Sequence, residues 1–127
     1  MGVKSVEDNS VRTLIIINDP PYGTERFYNA LRLAHALRKA NDKAEITVFL
    51  MADAVTAAKR GQKTPEGYYN VEIMLGRVIR GGGAVLLCGT CMDARGMAEG
   101  EVIEGAKRST MDELAAATLA ASRVLVF

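Results

Sequence analysis

The chain has 127 residues, of which 49% are hydrophobic and 24% charged, and its 16 basic residues nearly balance its 15 acidic residues. This composition is typical of one globular domain, and it lacks the basic excess that would indicate a nucleic-acid partner. Residues 1–12 are polar and contain no apolar stretch, so we expect no signal peptide, no membrane contact and a cytoplasmic location. Residues 13–127 are predicted to form a single domain.

The first half of the chain predicts two strand–helix units. A continuous apolar run at Thr13–Ile17 predicts a buried strand, and Thr24 is positioned to cap a helix that ends near Ala40. A second apolar run at Ile46–Met51 predicts the next strand, followed by a short helix capped by Asp53. The irregular segment Lys59–Tyr68 then predicts a loop of a length that is often functional, although a plain surface loop is an equal alternative.

The second half repeats the alternation. A helix is predicted from Tyr69 to Arg80, and an apolar run at Ala84–Cys88 predicts the third strand. Residues 96–109 are the least regular, with a further short strand predicted around Val102–Ile103. The pattern Thr110-Met-Asp-Glu113 predicts a capping box that opens a helix to about Ser122, before a last strand at Val124–Phe127.

Alternation of strands and helices predicts an α/β fold with a parallel sheet covered by helices on both faces. Sites in such sheets form beyond the carboxyl ends of the strands. Three predicted loops leave that edge, at Asn18–Thr24, Ala52–Asp53 and Gly89–Thr90. We therefore expect any site of chemistry to lie where these loops meet.

The only concentrated chemistry in the sequence is the pair of cysteines in Cys88-Gly-Thr-Cys91. Thr90 is the predicted N-cap of a helix, which would make Cys91 its first residue and lower the pKa of its thiol. Arg95 lies one turn later and would favour a thiolate or hold an anion, whereas Asp93 would oppose this. Cys88 ends a buried strand, where a free cysteine is often an ordinary core residue.

Other kinds of site have weaker support. The chain has only three Cys and His residues in all, too few for a structural zinc site, and His35 lies inside the first predicted helix. No glycine fingerprint or P-loop follows the first strand, and we predict no metal and no cofactor. Backbone N–H groups around Tyr22, Gly23 and Thr24 are a candidate anion site at the start of that helix.

Several motifs occur in the order that characterises a known family. They are Pro21-Tyr22-Gly23-Thr24, Asn29–Ala34, Phe49–Val55, Arg60-Gly-Gln-Lys63 with Glu66-Gly-Tyr68, Cys88-Gly-Thr-Cys91, Asp93-Ala-Arg-Gly96 and Ser122–Phe127. In these motifs the sequence resembles the DsrE/DsrF-like family, and its YchN-type branch in particular, from Thr13 to Phe127.

The resemblance implies a three-layer α/β/α sandwich with a flavodoxin-like (Rossmann-like) parallel sheet, assembled as a homotrimer or a hexamer. Relatives in the sulfur-relay branch carry a persulfide on one cysteine, which corresponds to Cys88 here, and exchange sulfur with donor and acceptor proteins. The second thiol, Cys91, departs from the relay pattern. The family motif also suggests that Gln62 and Lys63 border the cysteine site and bind substrate or an anion together with Thr90.

Three functions remain open from the sequence. The first is a sulfur carrier or sulfurtransferase that acts through Cys88 with Cys91 assisting. The second is a dithiol redox protein that cycles a Cys88–Cys91 disulfide, and the third is a non-enzymatic module that binds a small anion or a partner protein. For the oligomer, a set of methionines offers either interface area or ordinary core: Met74, Met92, Met97 and Met111.

Overall fold

Five parallel strands form one sheet in the order β4-β3-β2-β1-β5. The structure is a computed structural model that describes residues 11–127, so most of the predicted N-terminal segment lies outside the described residues. The strands are β1 Val11–Ile17, β2 Ala44–Leu50, β3 Ala84–Cys88, β4 Ala106–Ser109 and β5 Arg123–Val126. The expectation that the strands at Thr13, Ile46 and Ala84 share one carboxyl edge is confirmed.

Helices connect the strands and cover both faces of the sheet. They are α1 Arg26–Ala40, α2 Val71–Arg80, α3 Gly89–Ala94 and α4 Met111–Ala120, with 3₁₀ helices at Ala52–Ala58 and Glu99–Glu101. Helices α1 and α2 pack on each other and on the central strands, whereas α4 contacts β1. Strands β1 to β4 are added one after another toward one edge of the sheet, whereas β5 is added at the other edge, beside β1. A right-handed crossover from β4 to β5 therefore places α4 on the opposite face from α1 and α2. The three-layer α/β/α architecture therefore agrees with the expectation.

The core lies between the central strands and α1 and α2. Ile15, Val48 and Leu87 are fully buried on these strands, and Phe27 of α1 and Leu75 of α2 pack over them. Strands covered on both faces contain nearly continuous apolar runs, which is why such runs predicted them. Within residues 11–127, no helix combines the length and the apolar character that a membrane crossing requires.

The methionines fill the core more than they cover the surface. Met74, Met92 and Met97 are at most 7% exposed, so interface area from these three is the wrong alternative and core packing the right one. Flexible thioethers suit the irregular gaps under short helices and loops. Met111 alone of the four is exposed, at 61%.

Helix starts differ from the sequence prediction at two places. Thr24 does not cap α1, which begins at Arg26; its hydroxyl instead accepts from the Arg26 N–H and donates to Asp19. The helix after β2 is a 3₁₀ helix whose N-cap is Met51, so Asp53 lies in its first turn. By contrast, Thr110 caps α4 as predicted, since its hydroxyl accepts from the Glu113 N–H.

The fourth strand also lies later in the chain than predicted. It spans Ala106–Ser109, while Val102 forms only an isolated antiparallel bridge with Lys59 and Ile103 is buried beside it. The physical reason is that β4 is an edge strand with exposed Lys107 and Arg108, so it carries no apolar run. Strand β1 begins at Val11, two residues before the predicted start.

Candidate functional site

Cys88 lies at the junction of β3 and α3, at the carboxyl edge of the sheet. It is the last residue of β3 and also the N-cap of α3, where its Sγ accepts the Cys91 N–H over 3.3 Å. The Thr90 hydroxyl lies 3.3 Å from the same sulfur. The prediction of Thr90 as the N-cap is therefore wrong by two residues, because the sulfur itself satisfies a free N–H group at the helix start.

The environment of Cys88 favours its thiolate. Burial by itself would raise the pKa of this thiol, which is 8% exposed. Hydrogen bonds from the Cys91 thiol, from the Thr90 hydroxyl and from the backbone N–H groups of both residues outweigh burial. The pKa of Cys88 consequently lies below the ordinary value for a thiol.

Cys91 has the opposite character. Burial and the neighbouring Cys88 sulfur raise the pKa of its thiol, against smaller opposing effects of the Ala52 N–H and the Arg95 charge. Its Sγ accepts the Ala52 N–H over 3.3 Å, and Ala52 has a φ of 54°, a strained conformation for alanine. The expectation that a helix start would lower the pKa of Cys91 is wrong, because Cys91 is the third residue of α3 and burial and the Cys88 sulfur outweigh the contacts that favour its thiolate.

The hydrogen bonds of Arg95 go to groups other than the two sulfurs. Its Nε and Nη2 lie 2.9 and 2.8 Å from Oδ1 of Asp53, and its Nη1 donates to the carbonyl oxygen of Cys91 over 3.0 Å. The guanidinium thus ties α3 to the 3₁₀ helix that follows β2. This arrangement gives Arg95 a positioning role for the backbone of Cys91.

Arg108 is a charged group at the site that the sequence did not indicate. It projects from the end of β4 and forms a bidentate ion pair with Asp93, with distances of 2.9 and 2.8 Å. Its guanidinium lies so close to Gly89 that a Cβ there would come within 2.8 Å of Cζ. Asp93 raises the pKa of Arg108 and the Cys88 thiolate contributes in the same direction, so Arg108 is an electrostatic neighbour of Cys88. A sequence prediction that placed β4 at Ala106–Ser109 would have brought Arg108 to the carboxyl edge of the sheet, next to the cysteines.

Two of the candidate loop residues, Tyr22 and Gln62, are hydrogen-bonded to each other. The Tyr22 hydroxyl donates to Oε1 of Gln62 over 2.5 Å and accepts the Val71 N–H over 3.1 Å. The Gln62 side chain also donates to the carbonyls of Ala57 and Lys59, at 2.6 and 2.9 Å. These bonds tie the loop after β1 to the loop before α2, and none of them reaches a cysteine.

Within residues 11–127, the remaining candidates form no hydrogen bond with either cysteine. A Cβ on Gly23 would lie 3.1 Å from Cγ of Pro20, so its backbone is closely approached on that side. The exposed Lys63 forms no hydrogen bond or ion pair with any residue in the range 11–127. His35 places Nε2 3.1 Å from the carbonyl of Met74 in α2, so it serves helix packing. Over the same range, no group of three or more His, Cys, Asp or Glu side chains is arranged to hold a metal.

Taken together, the edge holds a thiolate-prone sulfur beside a protonated thiol. Both cysteines are free, and each Sγ accepts a backbone N–H. An ionised sulfur is the nucleophile in thiol chemistry, and a neighbouring thiol can resolve its adducts as a disulfide. The arrangement is thus capable of sulfur or disulfide exchange without any bound group.

Comparison with known proteins gives a consistent set of similarities. The DsrE/DsrF-like family matches residues 12–127. The chain is 45% identical to the protein YchN of Escherichia coli over 116 residues, 91% of this chain and 98% of YchN. It is 39% identical to an uncharacterized protein of Methanocaldococcus jannaschii over 113 residues, 89% of this chain and 96% of that protein.

Solved structures agree with the sequence similarities. The crystal structure of Escherichia coli YchN matches with a TM-score of 0.88 and 44% identity, over 92% of this chain and 99% of that one. A protein of unknown function from Methanobacterium thermoautotrophicum matches with a TM-score of 0.74 over 89% of this chain and 96% of its own. At 14% identity, that second match shows a shared fold alone.

Proposed function

The chain belongs to the DsrE/DsrF-like family, and we propose that it is a cytoplasmic sulfur carrier, or sulfurtransferase, that holds a persulfide on Cys88. The observation that carries the proposal is the position of Cys88 Sγ at the start of α3, with the Cys91 N–H and the Thr90 hydroxyl each 3.3 Å away. These bonds favour the thiolate, which is the form that attacks a sulfane sulfur.

Loading of the carrier is a thiolate exchange. The Cys88 thiolate attacks the outer sulfur of a donor persulfide, forms a new S–S bond and expels the donor as its thiolate. No electrons are gained or lost overall. The hydrogen bonds that stabilise the Cys88 thiolate also suit the persulfide anion, because its charge lies on the adjacent sulfur. An acceptor thiolate then takes that outer sulfur by the same exchange, and Cys88 leaves as a thiolate.

Cys91 provides a second way to release the sulfur. Its thiolate attacks the inner sulfur of the Cys88 persulfide, so the outer sulfur leaves as hydrosulfide and a Cys88–Cys91 disulfide remains. A cellular dithiol must then supply two electrons and two protons to restore both thiols. Because the pKa of Cys91 is raised, this step is slow at neutral pH and quickens as the pH rises.

The test is intact-mass analysis after anaerobic incubation with inorganic polysulfide. We expect the wild-type protein to gain the mass of one sulfur atom and Cys88→Ser to gain none. Cys91→Ser is the matched control, since it keeps the loading thiol and loses only the resolving one. We expect it to load and then to retain its sulfur longer than the wild type. Loading that survives in Cys88→Ser would contradict the proposal.

A dithiol redox protein is the second candidate function. Two free cysteines at the start of α3 favour it, because Cys88 Sγ accepts the Cys91 N–H over 3.3 Å and a pair of neighbouring thiols is the requirement for a reversible disulfide. Incubation with oxidised glutathione, followed by intact-mass analysis, distinguishes the two functions. A redox protein would lose two hydrogens reversibly and gain no sulfur from polysulfide, whereas a carrier would load.

We also propose that the protein functions as a homo-oligomer, a trimer or a hexamer, through its last helix and strand. Helix α4 and the edge strand β5 expose apolar side chains, with Met111, Leu119 and Val126 exposed by 61%, 88% and 65%. An edge strand leaves backbone groups free for pairing, and exposed apolar patches of this kind are typical of subunit contacts. A second copy of the chain would cover both.

A further inference from the structure

A groove with an aromatic wall lies between α1 and α2, apart from the cysteines. Tyr28, Tyr68 and Tyr69 line it, and Tyr22, the fourth tyrosine of the chain, packs against Tyr68 and Tyr69. Tyr69 stacks between Tyr28 and Tyr68, with centroid distances of 4.2 and 4.5 Å, and Tyr22 lies 5.7 Å from it. Tyr68 as a whole residue is 48% exposed, so part of this wall faces the solvent.

The same groove carries positive charge from two arginines. Arg32 and Arg77 line it from α1 and α2, and neither forms an ion pair with a residue in the range 11–127. Arg32 lies 5.4 Å over the Tyr28 ring and donates to Asn29, and among residues 11–127 no carboxylate lines the groove. A second cleft of about 260 Å³ shares His35 and Arg77 with the groove, and its Arg38 and Lys39 add to the positive electrostatic potential there.

The volume of the groove suits a small ligand. It is about 410 Å³, within the range of small-molecule sites, which runs from about 300 to 1,000 Å³. Apolar surface is also available, because Ile73 is 52% exposed at its rim. A ligand that fills it should therefore present a flat aromatic face to the tyrosines and an anionic group to the arginines.

We propose that the α1–α2 groove binds a nucleoside monophosphate, whose base stacks on the tyrosine wall and whose phosphate contacts Arg32 and Arg77. Bases stack on aromatic side chains irrespective of their hydrogen-bonding edges, and guanidinium groups match phosphate geometry. The site is independent of the cysteines, so it stands whether or not Cys88 carries sulfur.

Calorimetric titration tests the proposal with AMP, GMP, CMP and UMP as probes. We expect at least one nucleotide to bind, and its nucleoside and ribose 5-phosphate each to bind at least about tenfold more weakly, because each lacks one half of the interaction. Tyrosine fluorescence gives a second readout that reports only this wall, because the chain has no tryptophan.

Variants locate the site. Tyr68→Ala and Arg77→Gln change exposed side chains, and we expect each to weaken binding about tenfold. Arg80→Gln is the matched control, because it removes the same charge from the same helix outside the groove. Failure of all four nucleotides to bind at about 1 mM would overturn the proposal. Equal affinity for ribose 5-phosphate, or unchanged binding in both groove variants, would overturn it as well.

Discussion

Replacement of Thr90 by valine tests how the site ionises Cys88. The substitution keeps the shape of the side chain and removes the hydroxyl that lies 3.3 Å from Cys88 Sγ. We take the bond to be worth about 1 kcal/mol, the usual net value for a hydrogen bond in a folded protein. Its loss should reduce the thiolate population of Cys88 about fivefold at a pH below the pKa.

The assay is the rate of alkylation of Cys88 by iodoacetamide as a function of pH, with the modified residue identified by peptide mass spectrometry. We expect the midpoint of the profile to move upward in Thr90→Val. The rate at neutral pH should fall only about two- to threefold, because a more basic thiolate is a better nucleophile.

Thr90→Ser is the matched control, because it retains a hydroxyl and should keep the wild-type profile. Helix propensity is similar for the three residues, so α3 should not be altered. If valine leaves the midpoint where it is in the wild type, the hydroxyl does not stabilise the thiolate. The assignment of the lowered pKa to hydrogen bonds at the start of α3 would then be refuted.

Two further predictions concern stability and assembly. Asn70 is the N-cap of α2, and its Oδ1 accepts the Ile73 N–H, so Asn70→Ala should lower the free energy of unfolding measured in urea by about 1 kcal/mol. Asn70→Asp keeps an acceptor oxygen and should lower it less. Leu119→Glu places a charge in the proposed subunit contact and should lower the molar mass measured by light scattering toward that of the monomer. Ala36→Glu, on the exposed face of α1, is the control and should leave the molar mass unchanged. Equal molar masses for the two variants would contradict the contact.

The elements that the sequence predicted well are the central strands, which contain continuous apolar runs. Residues 48–50 and 84–88 are apolar throughout, and recognition of such runs needs no knowledge of their neighbours. Strand β4 could not be found in this way, because only Ser109 of its four residues is buried. What makes Ala106–Ser109 a strand is its parallel pairing with Val85–Cys88, a tertiary contact that leaves no local pattern.

In the candidate site, too, the local sequence predicted the position of the cysteines but not the residues that contact them. A pair of cysteines after a predicted strand placed the chemistry at the correct edge, because the ends of parallel strands meet there. The partners of those cysteines come from distant segments, such as Ala52 at the end of β2 and Arg108 at the end of β4. Their roles depend on sheet order and register, which spacing along the chain does not encode.

The charges at this edge explain why hydrogen bonds, rather than a free cation, control the thiols. Arg95 is paired with Asp53, and Arg108 is paired in a bidentate manner with Asp93. Each guanidinium therefore acts on sulfur as part of a nearly neutral pair, whose field falls off faster than that of a single charge. The short-range donors remain: Cys88 Sγ, at the N-cap of α3, has the Cys91 N–H and the Thr90 hydroxyl beside it, whereas among residues 11–127 Cys91 Sγ accepts only the Ala52 N–H. For this reason, removal of the Thr90 hydroxyl should change the pKa of Cys88 more than removal of the Arg95 guanidinium does.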